Sequence, residues 1–299
     1  MRIVVFGAGA LGSVVGGLLT RKHEVTLIAR EPHVKAIEES GLVVSGMVEA
    51  VFVPKAQTDL RNIGAADLVI VTVKAFDTRD ALDQIEGSVG EGTAVLSLQN
   101  GLNNMAMLSA KFPHNAVVGV TSMGATKVGP GRVFYAGDGL TTFGSGGAPN
   151  EMVQDVCGAF NCVGLDSEIS DDILAEVWLK AIVNASINPV TALMRCKNGR
   201  VLKDEDLKEV AREACREAAD VTKALGIHLK TDDPFEVVVD VLKHTAENRS
   251  SMLQDLERKK RTEIDEISGE IVLRGEGKGL GCPVNHALWH MVRSLTQYR

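Results

Sequence analysis

Cysteine is scarce in this chain and does not pair. Five cysteines stand among 299 residues, at positions 157, 162, 196, 215 and 282, with no C-x-x-C and an odd total. This pattern excludes a disulfide-stapled secreted scaffold and points to reduced thiols in a cytoplasmic protein, mostly buried as small hydrophobes. The seven histidines are scattered, and no His/Cys cluster has the spacing of metal ligands, so no metal site is expected. Positive charge is also short: Lys+Arg 32 against Asp+Glu 39 leaves a net charge of −7. The one basic block, Arg258-Lys259-Lys260-Arg261, lies among Asp255, Glu257 and Glu263 with no aromatic residue interleaved. It reads as a solvated helix face, and no nucleic-acid partner is expected. Residues 3–19 follow Arg2 without a charge and mimic a signal peptide, but five glycines weaken that reading. No other stretch approaches the roughly 20 apolar residues of a membrane span, so no membrane partner is expected either. Low-complexity linkers and internal repeats are absent as well.

What is present is ordinary globular material, 45% hydrophobic and 24% charged, enough for one large domain or two medium ones. Ile3-Val4-Val5-Phe6 is a buried strand stopped by Gly7, a helix follows to about Thr20, and Val25–Ala29 is a second strand. These make a β-α-β unit of about thirty residues. Another helix follows Pro32, and 42–53 reads as a hairpin turning at Ser45-Gly46. Strands at 68–73, 94–98 and 117–120 are near-continuous apolar runs alternating with helices at 78–86 and 102–111. That texture implies a parallel sheet covered on both faces, with 132–145 an antiparallel extension of it. After Gly164 the pattern becomes helical, Ser170-Asp171-Asp172 capping the first helix. Further helices are expected over 207–225, 234–247, 249–274 and 284–297. The expected fold is therefore an α/β N-terminal Rossmann-type doubly wound parallel sheet (1–168) followed by an all-α C-terminal domain (169–299).

Gly7-Ala8-Gly9-Ala10-Leu11-Gly12 is a G-x-G-x-x-G placed directly after a strand and opening a helix. The first glycine permits a tight turn, the second lets backbone amides approach a pyrophosphate, and the third lets helix pack on strand. The helix N-terminus adds N–H groups and positive dipole. At the end of the second strand an NAD enzyme usually carries Asp or Glu, whereas this chain has Arg30, which suits a 2′-phosphate. NADP(H) is thereby favoured, although adjacent Glu31 opposes the preference and NAD(H) stays the alternative. Lys74 and Asn100 stand just past the C-terminal ends of predicted strands, where open α/β sheets bind ligands; each could equally be an ordinary loop residue.

Within the helical half, Lys180, Asn184 and Asn188 recur at i, i+4, i+8 in an otherwise apolar segment, 178–188. On a helix they form one row about 12 Å long. One cation and two amides walled by Trp, Leu, Ile and Val suit a small polar ligand better than water, though a narrow wet stripe is the plain structural reading. Pro189 predicts that the helix ends or kinks at Asn188. Ser250 and Ser251 read as caps, and Glu263 and Asp265 as surface charges, on local pattern alone.

Together G-A-G-A-L-G (7–12), V-K-A (73–75), Q-N-G (99–101), W-L-K-A-I-V-N-A-S-I-N-P (178–189), N-G (198–199), S-S-M-L-Q-D (250–255) and T-E-I-D (262–265) resemble the 2-dehydropantoate 2-reductase, or ketopantoate reductase, family. The resemblance covers essentially the whole chain. It implies NADPH-dependent reduction of ketopantoate to (R)-pantoate on the way to pantothenate and coenzyme A, with Lys180 as proton donor. By resemblance Asn184, Asn188, Asn198 and Ser251 hold the substrate with Asn248 beside them, and Asn100 lies between substrate and cofactor. Arg30, Lys74, Gly124 and Glu263 fall on the cofactor side, Glu263 also orienting the lysine. Many members have alanine where Gly124 stands. A homodimer acting on a small 2-oxo acid is implied as well. Desolvation would lower the Lys180 pKa and Glu263 would raise it, a balance the sequence leaves open. Two competing readings are a reductase or opine-type dehydrogenase for another 2-oxo acid, and a non-catalytic nicotinamide-sensing protein.

Overall fold

The computed structural model describes residues 1–297 and divides the chain into two compact units. One comprises Met1–Gln99 with Asn104–Ile173, and the other Asn100–Asn103 with Leu174–Arg299. The first unit thus continues a few residues past the expected join at 168. The cause is a short strand, β12 (Ser167–Ile169), that pairs in parallel with β11 (Thr141–Ser145) and holds this segment to the sheet.

The sheet of the first unit has eight strands. Its centre is β1 (Arg2–Phe6), flanked on one side by β2 (Glu24–Ile28) and β5 (Lys55–Gln57). On the other side stand β6 (Leu68–Val71), β7 (Ala94–Ser97) and β8 (Ala116–Thr121), all parallel, and then β11 antiparallel to β8. Side chains alternate between two cores. Ile3 and Val5 join Leu27, Leu68 and Ile70 on one face, while Val4 and Phe6 join Ile28, Val69 and Val71 on the other. A strand buried on both faces has no polar position to spare, which is why these runs are continuously apolar. The order in which strands are added reverses between β1 and β6, so the carboxyl ends of those two strands form the ligand crevice of such a sheet. Helices α1 (Ala10–Leu19), α2 (Glu31–Ser40), α3 (Thr78–Ile85), α4 (Asn104–Lys111) and α5 (Asn150–Asn161) complete the unit.

Residues 132–145 depart from expectation. Only β11 extends the main sheet; β10 (Arg132–Gly137) pairs in parallel with β3 (Leu42–Gly46) and antiparallel with β9 (Gly124–Gly129). With β4 (Ala50–Phe52) they make a second, four-stranded sheet, and the β3–β4 turn lies at 47–49, just beyond Ser45-Gly46. This pairing joins residues some ninety positions apart, so it has no local signature.

The helical unit is built round α6 (Ile173–Met194). Its 22 residues are long and apolar enough to cross a membrane, contrary to the reading of the sequence, but 67% of its apolar window is buried inside the protein, as in a core helix. Nor does it end at Asn188: it runs on through Pro189. Burial of Ile187, Val190 and Ala192 holds the last turns in place, and the Thr191 hydroxyl donates to the Ile187 carbonyl at 2.9 Å. Helices α7 (Gly199–Lys203), α8 (Glu205–Ala224), α9 (Pro234–His244) and α12 (Pro283–Gln297) share one hydrophobic core with it. The single helix expected over 249–274 is instead broken. It comprises α10 (Ser251–Glu257), a non-helical stretch in which Lys259 takes φ 54, a π turn at Asp265–Gly269, and α11 (Glu270–Glu276). Replacing Ile182, fully buried at the middle of α6, by alanine should cost about 2–5 kcal/mol of stability. Equilibrium urea unfolding measures this, and a loss below about 1 kcal/mol would contradict the packing described.

Candidate active site

The glycine turn follows β1 directly. Gly7 has φ +94, and a Cβ there would lie 2.5 Å from Val73 Cγ1. A Cβ at Gly12 would strike the Thr72 hydroxyl, itself bonded to the Gly7 carbonyl at 3.0 Å. At Gly9, by contrast, the nearest atom to an added Cβ is the Gly7 carbonyl at 3.7 Å, so the space beside the turn is open. The Gly7 and Ala8 amides are both spent on the Ile28 carbonyl, at 3.1 and 2.8 Å, and the first helical bond runs from Ser13 N to Gly9 O. That leaves the amides of Ala10, Leu11 and Gly12 without an intrahelical acceptor. Three donors at a helix N-terminus beside an open cradle fit the pyrophosphate of a dinucleotide.

Arg30 sits at the end of β2 as an exposed residue flanking the start of α2, and Glu31 is paired with Lys35 at 2.7 Å rather than with Arg30. Lys74, half-buried, begins the loop after β6. That loop is held by Gln99, whose side-chain amide donates to the Val73 carbonyl at 2.9 Å and to the Thr78 hydroxyl at 2.7 Å. The sequence gives Gln99 no role of its own within Q-N-G; its position just past a strand is the one signal it offers. Gly124 opens β9 on the second sheet, half-buried.

In the helical unit, Lys180, Asn184 and Asn188 do share one unbroken helix, and burial deepens along the row to Asn188 at 6% exposure. Lys180 lies in a stretch with buried Trp178, Ala181, Ile182 and Val183. Desolvation favours its neutral amine, while the Glu263 carboxylate favours the ammonium. Burial prevails and the pKa falls from the usual lysine value to about 8. Glu263 is no surface charge: it is 6% exposed and accepts a long bond, 3.5 Å, from the Asn100 side-chain amide. Asp265 stays half-exposed, accepting from Trp289 Nε1 at 2.7 Å and lying 3.5 Å from the Arg261 guanidinium. Lys180, Glu263 and Asn100 are thus brought together.

A second group gathers near the far end of the row. Ser250 is the cap expected of it, accepting from Leu253 N at 3.2 Å, and its own hydroxyl is bonded to Thr191 Oγ1 at 2.8 Å, donating because the Thr191 proton is used on Ile187 O. This ties the start of α10, and exposed Ser251 with it, to the turn of α6 after Asn188. Asn198 and Asn248 are joined through backbone, Asn198 N donating to Asn248 O at 3.0 Å. The Asn198 side chain donates to Thr245 Oγ1 at 2.9 Å, while its buried Oδ1 has no partner. Asn248 itself is exposed. Among the described residues no cluster of three or more His, Cys, Asp or Glu could hold a metal ion.

A dinucleotide cradle on the doubly wound sheet of one unit, and in the other a lysine of lowered pKa beside a carboxylate, are features of a nicotinamide-dependent oxidoreductase. The family models agree: "Ketopantoate reductase PanE/ApbA" matches residues 3–147 and its C-terminal counterpart residues 172–296, so the chain belongs to the ketopantoate reductase family. It is similar to a 2-dehydropantoate 2-reductase of Archaeoglobus fulgidus, 41% identical, covering 98% of this chain and 97% of the relative. Among solved structures it resembles a PanE/ApbA family ketopantoate reductase from Ralstonia eutropha, with TM-score 0.92, 32% identity and coverage of 100% and 99%. It also resembles a D-mandelate dehydrogenase in complex with NADH and anilino(oxo)acetate, with TM-score 0.90, 26% identity and coverage of 100% and 99%.

The opposed influences on Lys180 give a test. Its ammonium should titrate near pH 8, and Glu263→Gln, which removes the charge that raises the pKa, should move the titration lower. Carbon-13 NMR of labelled lysines, assigned with Lys180→Met, reads both; a Lys180 titrating near the ordinary lysine value would contradict the site as described.

Proposed function

We propose that this protein reduces 2-dehydropantoate (ketopantoate) to (R)-pantoate with NADPH, a step toward pantothenate and coenzyme A. The observation that carries the proposal is the Lys180 ammonium at the head of the Asn184–Asn188 row, its pKa lowered to about 8 beside Glu263. Residues 1–168 are the dinucleotide-binding part, with Gly7, Ala8, Gly9, Ala10, Leu11 and Gly12 round the pyrophosphate and Lys74 and Gly124 along the cofactor. Residues 169–299 hold the substrate. Arg30 pairs with the 2′-phosphate, a reading supported by the engagement of Glu31 with Lys35. When bound, the reduced nicotinamide supplies the hydride that goes to the 2-oxo carbon.

The chain's own work is placement and proton transfer. As negative charge develops on the carbonyl oxygen, protonated Lys180 stabilises it and then donates the proton. A pKa near 8 keeps most of the lysine charged at neutral pH yet makes it a far stronger acid than an ordinary lysine. Glu263 holds the ammonium in place, and Asn100 donates to Glu263. Asn184 and Asn188 hydrogen-bond the substrate's neutral oxygens, Asn198 and Asn248 hold it beside them, and Ser251 donates to the carboxylate. The five free cysteines support a cytoplasmic location. A homodimer rests on the family resemblance.

The likeness to a D-mandelate dehydrogenase solved with NADH supports a second reading, in which the substrate is another 2-oxo acid and the cofactor NADH. A panel of 2-oxo acids with NADPH and NADH, followed by nicotinamide absorbance, separates the two, and no turnover of ketopantoate would overturn the first. Lys180→Ala should lower kcat about 10²-fold or more while leaving NADPH binding nearly intact. Because reduction needs the ammonium, the wild-type rate should fall as pH rises through about 8. Arg30→Ala should weaken NADPH about tenfold, the loss of one charge-assisted contact, and leave NADH unchanged. Equal losses for both cofactors would remove Arg30 from the 2′-phosphate.

A further inference from the structure

One buried histidine has no part in the chemistry above. His33, in the first turn of α2, is 1% exposed and is bonded at both ring nitrogens. The Gly131 amide donates to Nδ1 at 2.8 Å, and Nε2 lies 3.0 Å from the Ser13 hydroxyl. An amide N–H can only donate, so Nδ1 carries no proton and the ring is neutral with its hydrogen on Nε2. Burial and the positive charge of Lys127 hold it in that form, with the pKa lowered to about 4. Nε2–H therefore donates to Ser13 Oγ, which leaves the Ser13 hydroxyl proton for the Ala8 carbonyl at 3.2 Å. Three hydrogen bonds run in one direction, from the turn between β9 and β10, through the imidazole, to the second residue of G-A-G-A-L-G.

Ala8 and Gly9 lead into the unspent amides that begin at Ala10; the Ala8 amide is fixed on Ile28 O at 2.8 Å and the Gly9 amide on Gly7 O at 2.6 Å. With the Ala8 carbonyl fixed by Ser13 as well, the peptide leading into Gly9 has both flanking groups tethered. We propose that His33 is a positioning residue for the dinucleotide, setting the orientation of the glycine turn through Ser13 and the Ala8 carbonyl. The proposal rests on the reading of that turn as the dinucleotide site. The sequence offers no sign of it. A histidine after Pro32 reads as a helix-surface residue, and its partner Gly131 is 98 positions away.

The test measures binding of NADPH and NADH by quenching of protein fluorescence and by calorimetry, in wild type, His33→Ala, His33→Gln, Ser13→Ala and the His33→Ala/Ser13→Ala pair. His33→Ala and Ser13→Ala should each weaken both cofactors roughly tenfold, with kcat at saturating cofactor within about twofold of wild type. The pair should be no weaker than the worse single variant, because both interrupt one chain of bonds. His33→Gln, whose amide can both donate and accept, should restore part of the loss. A purely structural role would lower the unfolding midpoint and leave cofactor affinity of the folded protein unchanged, and that result would overturn the proposal even if His33→Ala proved too unstable, since Ser13→Ala and His33→Gln carry the same readout. Wild type binding neither nucleotide would overturn the dinucleotide reading together with this one. Wild-type binding with unaltered variants would overturn this one alone.

Discussion

The chemistry of the helical unit turns on one desolvated lysine beside one buried carboxylate. Lysine rarely leaves water without a partner, and a charged group in a poorly solvated place shifts its pKa before anything else yields. Glu263 is close enough to keep Lys180 mostly protonated at neutral pH but does not restore an ordinary lysine pKa. Much of the unit serves that balance. Helix α6 carries the lysine on a helix buried along most of its length, and the break after α10 returns the chain so that Glu263 lies inside rather than on a helix surface. A continuous helix over 249–274 would have given Glu263 the exposed position its local sequence suggests.

The α/β unit answers to a different constraint, the supply of unspent backbone donors. Strand β1 delivers the chain to the reversal point of the sheet, where a residue with φ +94 is needed to turn and where helix α1 must come against Thr72. Both demands fall on glycine. The turn itself uses the amides of Gly7 and Ala8 on Ile28, so only the first helical turn remains open. Gln99 holds the neighbouring loop, and Ser13 with His33 holds the turn from beneath. These are polar side chains acting on backbone, and such contacts fix a loop in one arrangement where apolar packing alone would allow several.

The likeness to solved structures extends over both halves, with TM-scores of 0.92 and 0.90 against two of them. One carries the ketopantoate reductase name and the other D-mandelate dehydrogenase, so the shared fold accommodates more than one 2-oxo acid. Under the proposed function, selection among such acids falls to the side chains along the Asn184–Asn188 row and round Asn198, Asn248 and Ser251. The unpartnered Asn198 Oδ1 is notable there, because a buried acceptor left without a donor costs free energy unless something binds it.

Patterns of period and punctuation were enough to determine the parallel strands, the glycine turn, the Lys180–Asn184–Asn188 row and the cap at Ser250, since each depends on neighbours within a few positions. What tertiary structure decided has long-range causes. The second sheet joins β3 to β10 across the chain, and α6 runs on past Pro189 because Ile187, Val190, Thr191 and Ala192 in its last turns are buried. Glu263 becomes an interior charge, the lysine pKa settles near 8, and His33 finds its partner 98 residues away. Local sequence sets propensity and pattern; burial, which decides where a charge or a histidine ends up, exists only once distant segments have met.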